Sequence, residues 1–223
     1  MSVKLRSLFW YFVVIAVASG PTENWAASAG PEQGPALRHR AGLAGVTYHG
    51  GLVTPPLPKP KFTLADTSGA PFDFWSKTQG YVTLLFFGYT HCPDECPLHM
   101  ANIASSLQQL PDQVRKQVKV VFVTTDPARD SGAVLRAWLD NFDTRFIGLT
   151  GSEAAVAAAQ RAAYIPPASK TAHTDHNYGM NHASFVLAYT KDNLAHVIYP
   201  GGETSTDWAK DLPLLVTETW SSR

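Results

Sequence analysis

Apolar and polar positions along the chain fall into short runs whose period switches between two and 3.6. The stretch "KFTLADTSGAPFDF" (residues 61–74) has two alternating runs around turn residues Asp66 to Gly69 and predicts a β-hairpin. "YVTLLFFGY" (81–89) is apolar almost throughout, the pattern of a strand covered on both faces. In "ANIASSLQQL" (101–110), Ile103, Leu107 and Leu110 recur at helical spacing. A second buried strand follows in "VKVVFVTTD" (118–126), then a helix in "GAVLRAWLDNF" (132–142) and a short extended segment in "RFIGLTG" (145–151). "SEAAVAAAQRAA" (152–163) predicts a helix opened by Ser152 as N-cap. "ASFVLAYTKDNLAHVIYP" (183–200) predicts two strands joined at "TKDN", and "STDWAKDLPLLVTETW" (205–220) a final helix locally interrupted at Pro213. Strands alternating with helices and closing in a hairpin imply an α/β domain with a mixed central sheet flanked by helices, entered through an N-terminal hairpin.

The chain before residue 61 follows another pattern. Lys4 and Arg6 precede "LFWYFVVIAVAS", an apolar run of about a dozen residues, and Ala27-Ser28-Ala29 forms a small-x-small cleavage site. Residues 1–29 therefore read as an export signal. The alternative is a short uncleaved membrane anchor, although a spanning helix needs roughly 20 apolar residues. Residues 30–60 are rich in Gly and Pro, end in "TPPLPKP" and show no sustained period, which predicts an arm or linker leading to a domain over 61–223. On either reading of the leader the domain lies outside the cytoplasm, in a bacterial periplasm or tethered to the inner membrane. Of the 223 residues, 45% are hydrophobic, enough for one sizeable core. Lys plus Arg and Asp plus Glu stand at 18 each, so no net field recruits nucleic acid.

The predicted layout brings the unusual residues to one edge. Ligands of open α/β sheets sit beyond the carboxyl ends of parallel strands, and Cys92 and Asp126 lie just past two such ends. His182 immediately precedes the strand that begins at Ala183; if that strand runs antiparallel, His182 lies at the same rim.

Cys92 and Cys96 are the only two cysteines. In an exported chain the ordinary role of such a pair is a structural disulfide. A bridge across three intervening residues closes a very short loop, where a cross-link gains least, and it invites strain and reducibility. A close thiol pair suits redox exchange or metal binding better. Two thiolates and an imidazole form a soft set that fits Cu(I), or zinc with a fourth ligand. His91 and His99 are the candidates for that fourth position, His91 otherwise lining the loop and His99 otherwise lying on the surface of the starting helix.

The blocks "FTLADTSGAPFDF", "LLFFGYTHCPDECPLHM", "VFVTTDPARDSG" and "YGMNHASFVLAYTKDN" resemble, in order, those of the Sco/SenC family of copper-binding, thioredoxin-like proteins that assist cytochrome c oxidase assembly. The resemblance covers roughly residues 55 to 215. It implies a thioredoxin-like fold, with Cys92 and Cys96 as copper thiolates, His182 as the copper imidazole and Asp126 as an acidic residue behind that site. The family usually has Asp before the ligand His and Ser after it; here Asn181 and Ala183 occupy those places. A neutral amide orients an imidazole less strongly than a carboxylate does.

Other features have ordinary explanations. His173, Asp175, His176 and Met180 in "HTDHNYGMNH" form an accessory copper relay or, more simply, a polar mobile loop. Trp75, Trp138 and Trp208 read as packing, and Asp130 as a cap for the helix starting near Ser131. The expectation is a monomeric copper metallochaperone rather than an enzyme, its partner a cytochrome c oxidase copper-site subunit or another copper chaperone. The competing class is an extracytoplasmic thiol-disulfide oxidoreductase, or thiol peroxidase, using the same cysteines. A stably disulfide-bonded binding module would need neither thiolate nor His182.

Overall fold

The computed structural model describes residues 37–38, 47–174 and 177–220. The predicted leader over residues 1–29 lies outside the described residues, as do most of the arm before residue 47, Asp175, His176 and the side chain of His173. Among the described residues no helix is long and apolar enough to cross a membrane.

Three parallel strands form the centre of the sheet: β5 (Val82–Gly88), β6 (Val118–Thr124) and β7 (Ile147–Thr150). Beyond β5 lie β10 (Val186–Tyr189), β11 (Leu194–Tyr199), β2 (Gly51–Pro58) and the two-residue β1 (Leu37–Arg38), each antiparallel to its neighbour. Beyond β7 the predicted hairpin, β3 (Thr63–Asp66) and β4 (Pro71–Asp73), completes a nine-stranded mixed sheet. Alternate residues of β5 and β6 feed two cores. Val82, Leu84, Phe86, Val120 and Phe122 face one, while Leu85, Phe87, Val121 and Val123 face the other. Each large apolar side chain so buried contributes roughly 1.5–3 kcal/mol. Both faces being covered is why the strands read as continuous apolar runs rather than alternations.

The first core is closed by α2 (Glu95–Gln109), α4 (Gly132–Asp140) and α6 (Ser205–Thr217), which bury Met100, Ile103, Leu107, Leu135, Leu139, Trp208, Leu212 and Leu215. The second is closed by α5 (Glu153–Ala162) and by the short α1 (Phe74–Thr78), which the hydrophobic pattern does not predict. A one-turn α3 (Asp112–Arg115) joins α2 to β6. The interruption expected at Pro213 is absent. A capping box between Thr204 and Asp207 opens α6, and burial of side chains on both sides of Pro213 carries the helix through it.

The arm expected over residues 30–60 needs correction at its end, because residues 51–58 are a sheet strand. Its prolines conceal the pairing. Pro55 and Pro56 fall between the paired positions Leu52↔Val197 and Leu57↔Ala195, where the ladder shifts register and no amide hydrogen is required. Gly50 meets β11 so closely that a Cβ there would lie 2.7 Å from the Ile198 carbonyl oxygen. Just before it, His49 donates its backbone N–H to the buried Asp211 carboxyl at 2.8 Å, and Tyr199 donates its hydroxyl to the same group at 3.0 Å. The imidazole of His49 also lies between Asp211, at 2.7 Å, and Asp207, at 3.2 Å. These contacts join the start of β2 to α6.

Lys59, which follows β2, is buried with its ammonium donating to the Thr78 carbonyl at the end of α1. Burial depresses its pKa from 10.5 to about 8. Between those values the unfolded chain retains a proton that the folded chain has shed, so this group makes stability rise with pH across that window. Below pH 8 its charged form imposes a desolvation cost. Lys59→Met is therefore expected to raise the urea-unfolding free energy at pH 7 by about 1 kcal/mol, after the lost hydrogen bond is subtracted. The advantage should shrink toward pH 10. A variant equally destabilised at both pH values would show that the hydrogen bond outweighs the desolvation.

Candidate metal centre

The site is built on the carboxyl end of β5. After Gly88 the chain turns through residues 89–94 and enters α2, so Cys92 stands in the loop and Cys96 in the first helical turn. The helix begins six residues before the predicted stretch, with Pro97 in its first turn, where a missing N–H is tolerated. The Cys96 backbone N–H points at the Cys92 sulfur, 3.5 Å away. Gly88 makes room for the buried thiol: a Cβ there would lie 2.8 Å from Cys96 Sγ and 2.7 Å from the Phe86 ring.

His182 comes from the other side. It lies in the segment between β9 (Asn177–Asn181) and β10, and β10 runs antiparallel to β5 with Val186 opposite Phe86, as the shared-rim argument requires. The Nδ1–H of His182 donates to the Ala183 carbonyl at 3.0 Å, leaving the Nε2 lone pair free toward Cys96 Sγ at 3.7 Å. The rings of Phe86 and Tyr89 meet the imidazole nearly edge-on, with centroids at 6.2 and 5.5 Å. One donor atom from each of Cys92, Cys96 and His182 lies within 4.8 Å of the others, and among the described residues no fourth His, Cys, Asp or Glu joins them. Metal bonds of about 2.0–2.3 Å from thiolate and imidazole hold neighbouring donors about 3.5–4 Å apart, so the trio needs little movement to close on one ion.

The two sulfurs are free thiols with opposite tendencies. The Cys96 thiol, the His182 imidazole and backbone N–H groups at the helix start hold the Cys92 pKa well below the usual thiol value against the effect of burial. The Cys92 sulfur and burial push Cys96 up, so it keeps its proton. For His182 burial favours the neutral ring but is outweighed by Cys92 and by the Ala183 carbonyl, and its pKa is raised. The arrangement thus combines one exposed-side thiolate, one buried thiol and one basic nitrogen.

Three expectations change. Asp130 does not cap α4, since Ser131 does that. It is fully buried and accepts from the Thr90 amide at 2.9 Å, the Thr90 hydroxyl at 2.6 Å and the Thr124 hydroxyl at 2.6 Å, fastening the cysteine loop to the end of β6. His99 is not a surface residue: it is 4% exposed, its ring tilted against that of Phe86, and it donates to the Ser184 carbonyl at 2.9 Å. Its signal was its place three residues after Cys96, on the buried stripe with Met100, Ile103 and Leu107. Among the described residues, two antiparallel strands, β8 (Ser169–Thr174) and β9, take up most of the stretch expected to be a mobile loop, and their irregular register and polar composition hide the alternation. Within it, Met180 packs against the first core.

Asp126 lies buried at the same rim, where Tyr178 of β9 donates to it at 2.8 Å and the Arg129 side chain pairs with it. The Arg129 guanidinium also covers the Tyr178 ring at 3.8 Å. His91 is exposed and lies beside Asp130 and the Thr90 hydroxyl, outside the three-residue cluster.

A two-cysteine, one-histidine rim on an α/β sheet of this topology defines a thioredoxin-like protein with a metal-type donor set. The SCO1/SenC family model matches residues 54–217, and the chain belongs to that family. A SCO2-like protein of Rickettsia prowazekii is 33% identical over 132 residues, covering 59% of this chain and 63% of that relative. The chain spans less than two thirds of the length of such curated relatives. Copper-bound ScoI of Bradyrhizobium japonicum superposes with a TM-score of 0.62 at 29% identity, over 72% of this chain and 99% of that one. Apo Sco1 of Thermus thermophilus gives 0.69 at 30% identity, over 78% and 99%.

Asp130→Ala is expected to cost about 3 kcal/mol, since three donors, the Thr124 hydroxyl fully buried and the Thr90 amide and hydroxyl partly so, lose their acceptor. It should also accelerate alkylation of Cys92 by loosening residues 89–92. Denaturant unfolding and timed thiol labelling check both; a loss below about 0.5 kcal/mol, typical of a surface change, would contradict the fastening role.

Proposed function

We propose that this protein binds one copper ion as Cu(I) between Cys92, Cys96 and His182 and hands it on by ligand exchange during assembly of a cytochrome c oxidase copper site. The observation that carries this is the donor set: two sulfurs and one imidazole nitrogen within 4.8 Å, with no fourth His, Cys, Asp or Glu among the described residues. Structural zinc takes four ligands, whereas a soft, three-donor set suits Cu(I). The copper-bound ScoI relative supports the same metal. Copper is cargo here. The half-exposed Cys92 is the donor that an incoming ligand reaches first, while buried Cys96 keeps its hold.

Asp126 acts one step removed from the metal in this reading. It holds Tyr178, and through it the strand that leads into His182. The partner is an oxidase subunit carrying the copper site, or a second copper chaperone that loads this one. The setting is extracytoplasmic, after export directed by residues 1–29.

Metal binding must displace the protons of its ligands, so the shared proton of the thiol pair is released on loading. Reduced protein is expected to bind one Cu(I) per chain and to protect both thiols from alkylation. His182→Ala should lower Cu(I) affinity by at least about 10-fold while shifting the thiol-disulfide potential by no more than a few tens of millivolts. Chelator competition and redox titration check the two quantities. Full copper binding by the Cys92→Ser, Cys96→Ser double variant would overturn the site, and a His182→Ala variant that kept copper but lost thiol exchange would favour an oxidoreductase.

A further inference from the structure

We infer that His99 is a positioning residue for His182, tying the helix that supplies Cys96 to the segment that supplies the imidazole; this rests on the copper reading above. His99 and Cys96 occupy the same face of α2, three residues apart, and both are buried. The acceptor of His99 is the carbonyl of Ser184, two residues beyond His182. A carbonyl only accepts, so His99 Nε2 carries the proton in this contact. Residues 182–185 lie between β9 and β10 and belong to neither, so strand pairing does not fix them. Two imidazoles do so instead: His182 Nδ1 binds the Ala183 carbonyl at 3.0 Å, and His99 Nε2 the next carbonyl at 2.9 Å.

The Phe86 ring links the two histidines. Its centroid is 5.0 Å from that of His99 and 6.2 Å from that of His182. Phe86 is completely buried in β5 and pairs in register with Val186, so it does not yield to either side. His99 is therefore held by helix and ring packing, and its remaining polar reach goes to the His182 segment. Glu95, one turn earlier on the same helix, has a carboxylate oxygen 4.0 Å from the same nitrogen, beyond hydrogen-bond distance. With Asn181 preceding His182, no carboxylate side chain directly before the ligand orients it, and the tie from His99 supplies a fixed point on the following side.

The test is a double-mutant cycle on Cu(I) affinity, by chelator competition, with His99→Phe, which fills the space and keeps a ring packed against Phe86 without the donor. His99→Phe should weaken Cu(I) binding about 10-fold, the lower end for losing a group that orients a ligand. His99→Gln, whose amide nitrogen reaches the Nε2 position, should stay within about threefold of the parent. In the His182→Ala background, His99→Phe should add no further loss, because it acts through the residue already removed. His99→Leu carries the same expectations if His99→Phe folds poorly. Equal losses from His99→Phe with and without His182 would overturn the inference, as would an undiminished affinity in the single variant. If His182→Ala itself leaves affinity unchanged, the ligand assignment falls and this inference with it; if His182→Ala weakens binding and neither donor-free variant does, the inference alone falls.

Discussion

The pairing of β10 with β5 is the constraint on which the candidate site depends. Because the two strands are antiparallel with Val186 opposite Phe86, the chain entering β10 is brought to the same end of the sheet at which β5 releases the cysteine loop. A parallel β10 would place His182 at the opposite end. The pairing is set by burial on both faces, with Val186 and Ala188 in one core and Leu187 and Tyr189 in the other. A slip of one residue would exchange those faces along the whole strand. The relative position of sulfur and imidazole is thus fixed by the packing of a sheet rather than by the loops that carry them.

Around that fixed frame the local fasteners are polar and specific. Asp130 gathers the Thr90 amide and two threonine hydroxyls, stiffening the approach to Cys92. Asp126 receives the Tyr178 hydroxyl and so holds the strand before His182. Gly88 leaves the space into which the Cys96 sulfur fits. Buried polar groups of this kind are costly unless every partner is present, which concentrates sensitivity to substitution at the rim.

Much of this was legible in the sequence. Continuous apolar runs point to β5 and β6, helical spacing to α2 and the Ser152 cap to α5, and the cysteine spacing together with the place of His182 points to the three residues that the fold brings together. What escaped notice did so for physical reasons. The prolines of "TPPLPKP" suggest a linker, but the register shift between β2 and β11 leaves Pro55 and Pro56 between paired positions, where no donor is needed. The hairpin formed by β8 and β9 is polar and irregular, so alternation could not reveal it. His99 and Asp130 are polar residues whose burial depends on neighbours distant in sequence, Ser184 and Thr90, and no local pattern reports such a contact.

The central claim is that one copper ion takes exactly two sulfurs and one imidazole from a single chain. X-ray absorption on the Cu(I)-loaded protein tests this most directly, read as the number and type of scatterers bound to the metal. The account predicts two sulfur scatterers and one nitrogen with the outer-shell pattern of an imidazole, and loss of that nitrogen in His182→Ala. A wild-type spectrum with sulfur ligands alone, unchanged in the variant, would contradict it.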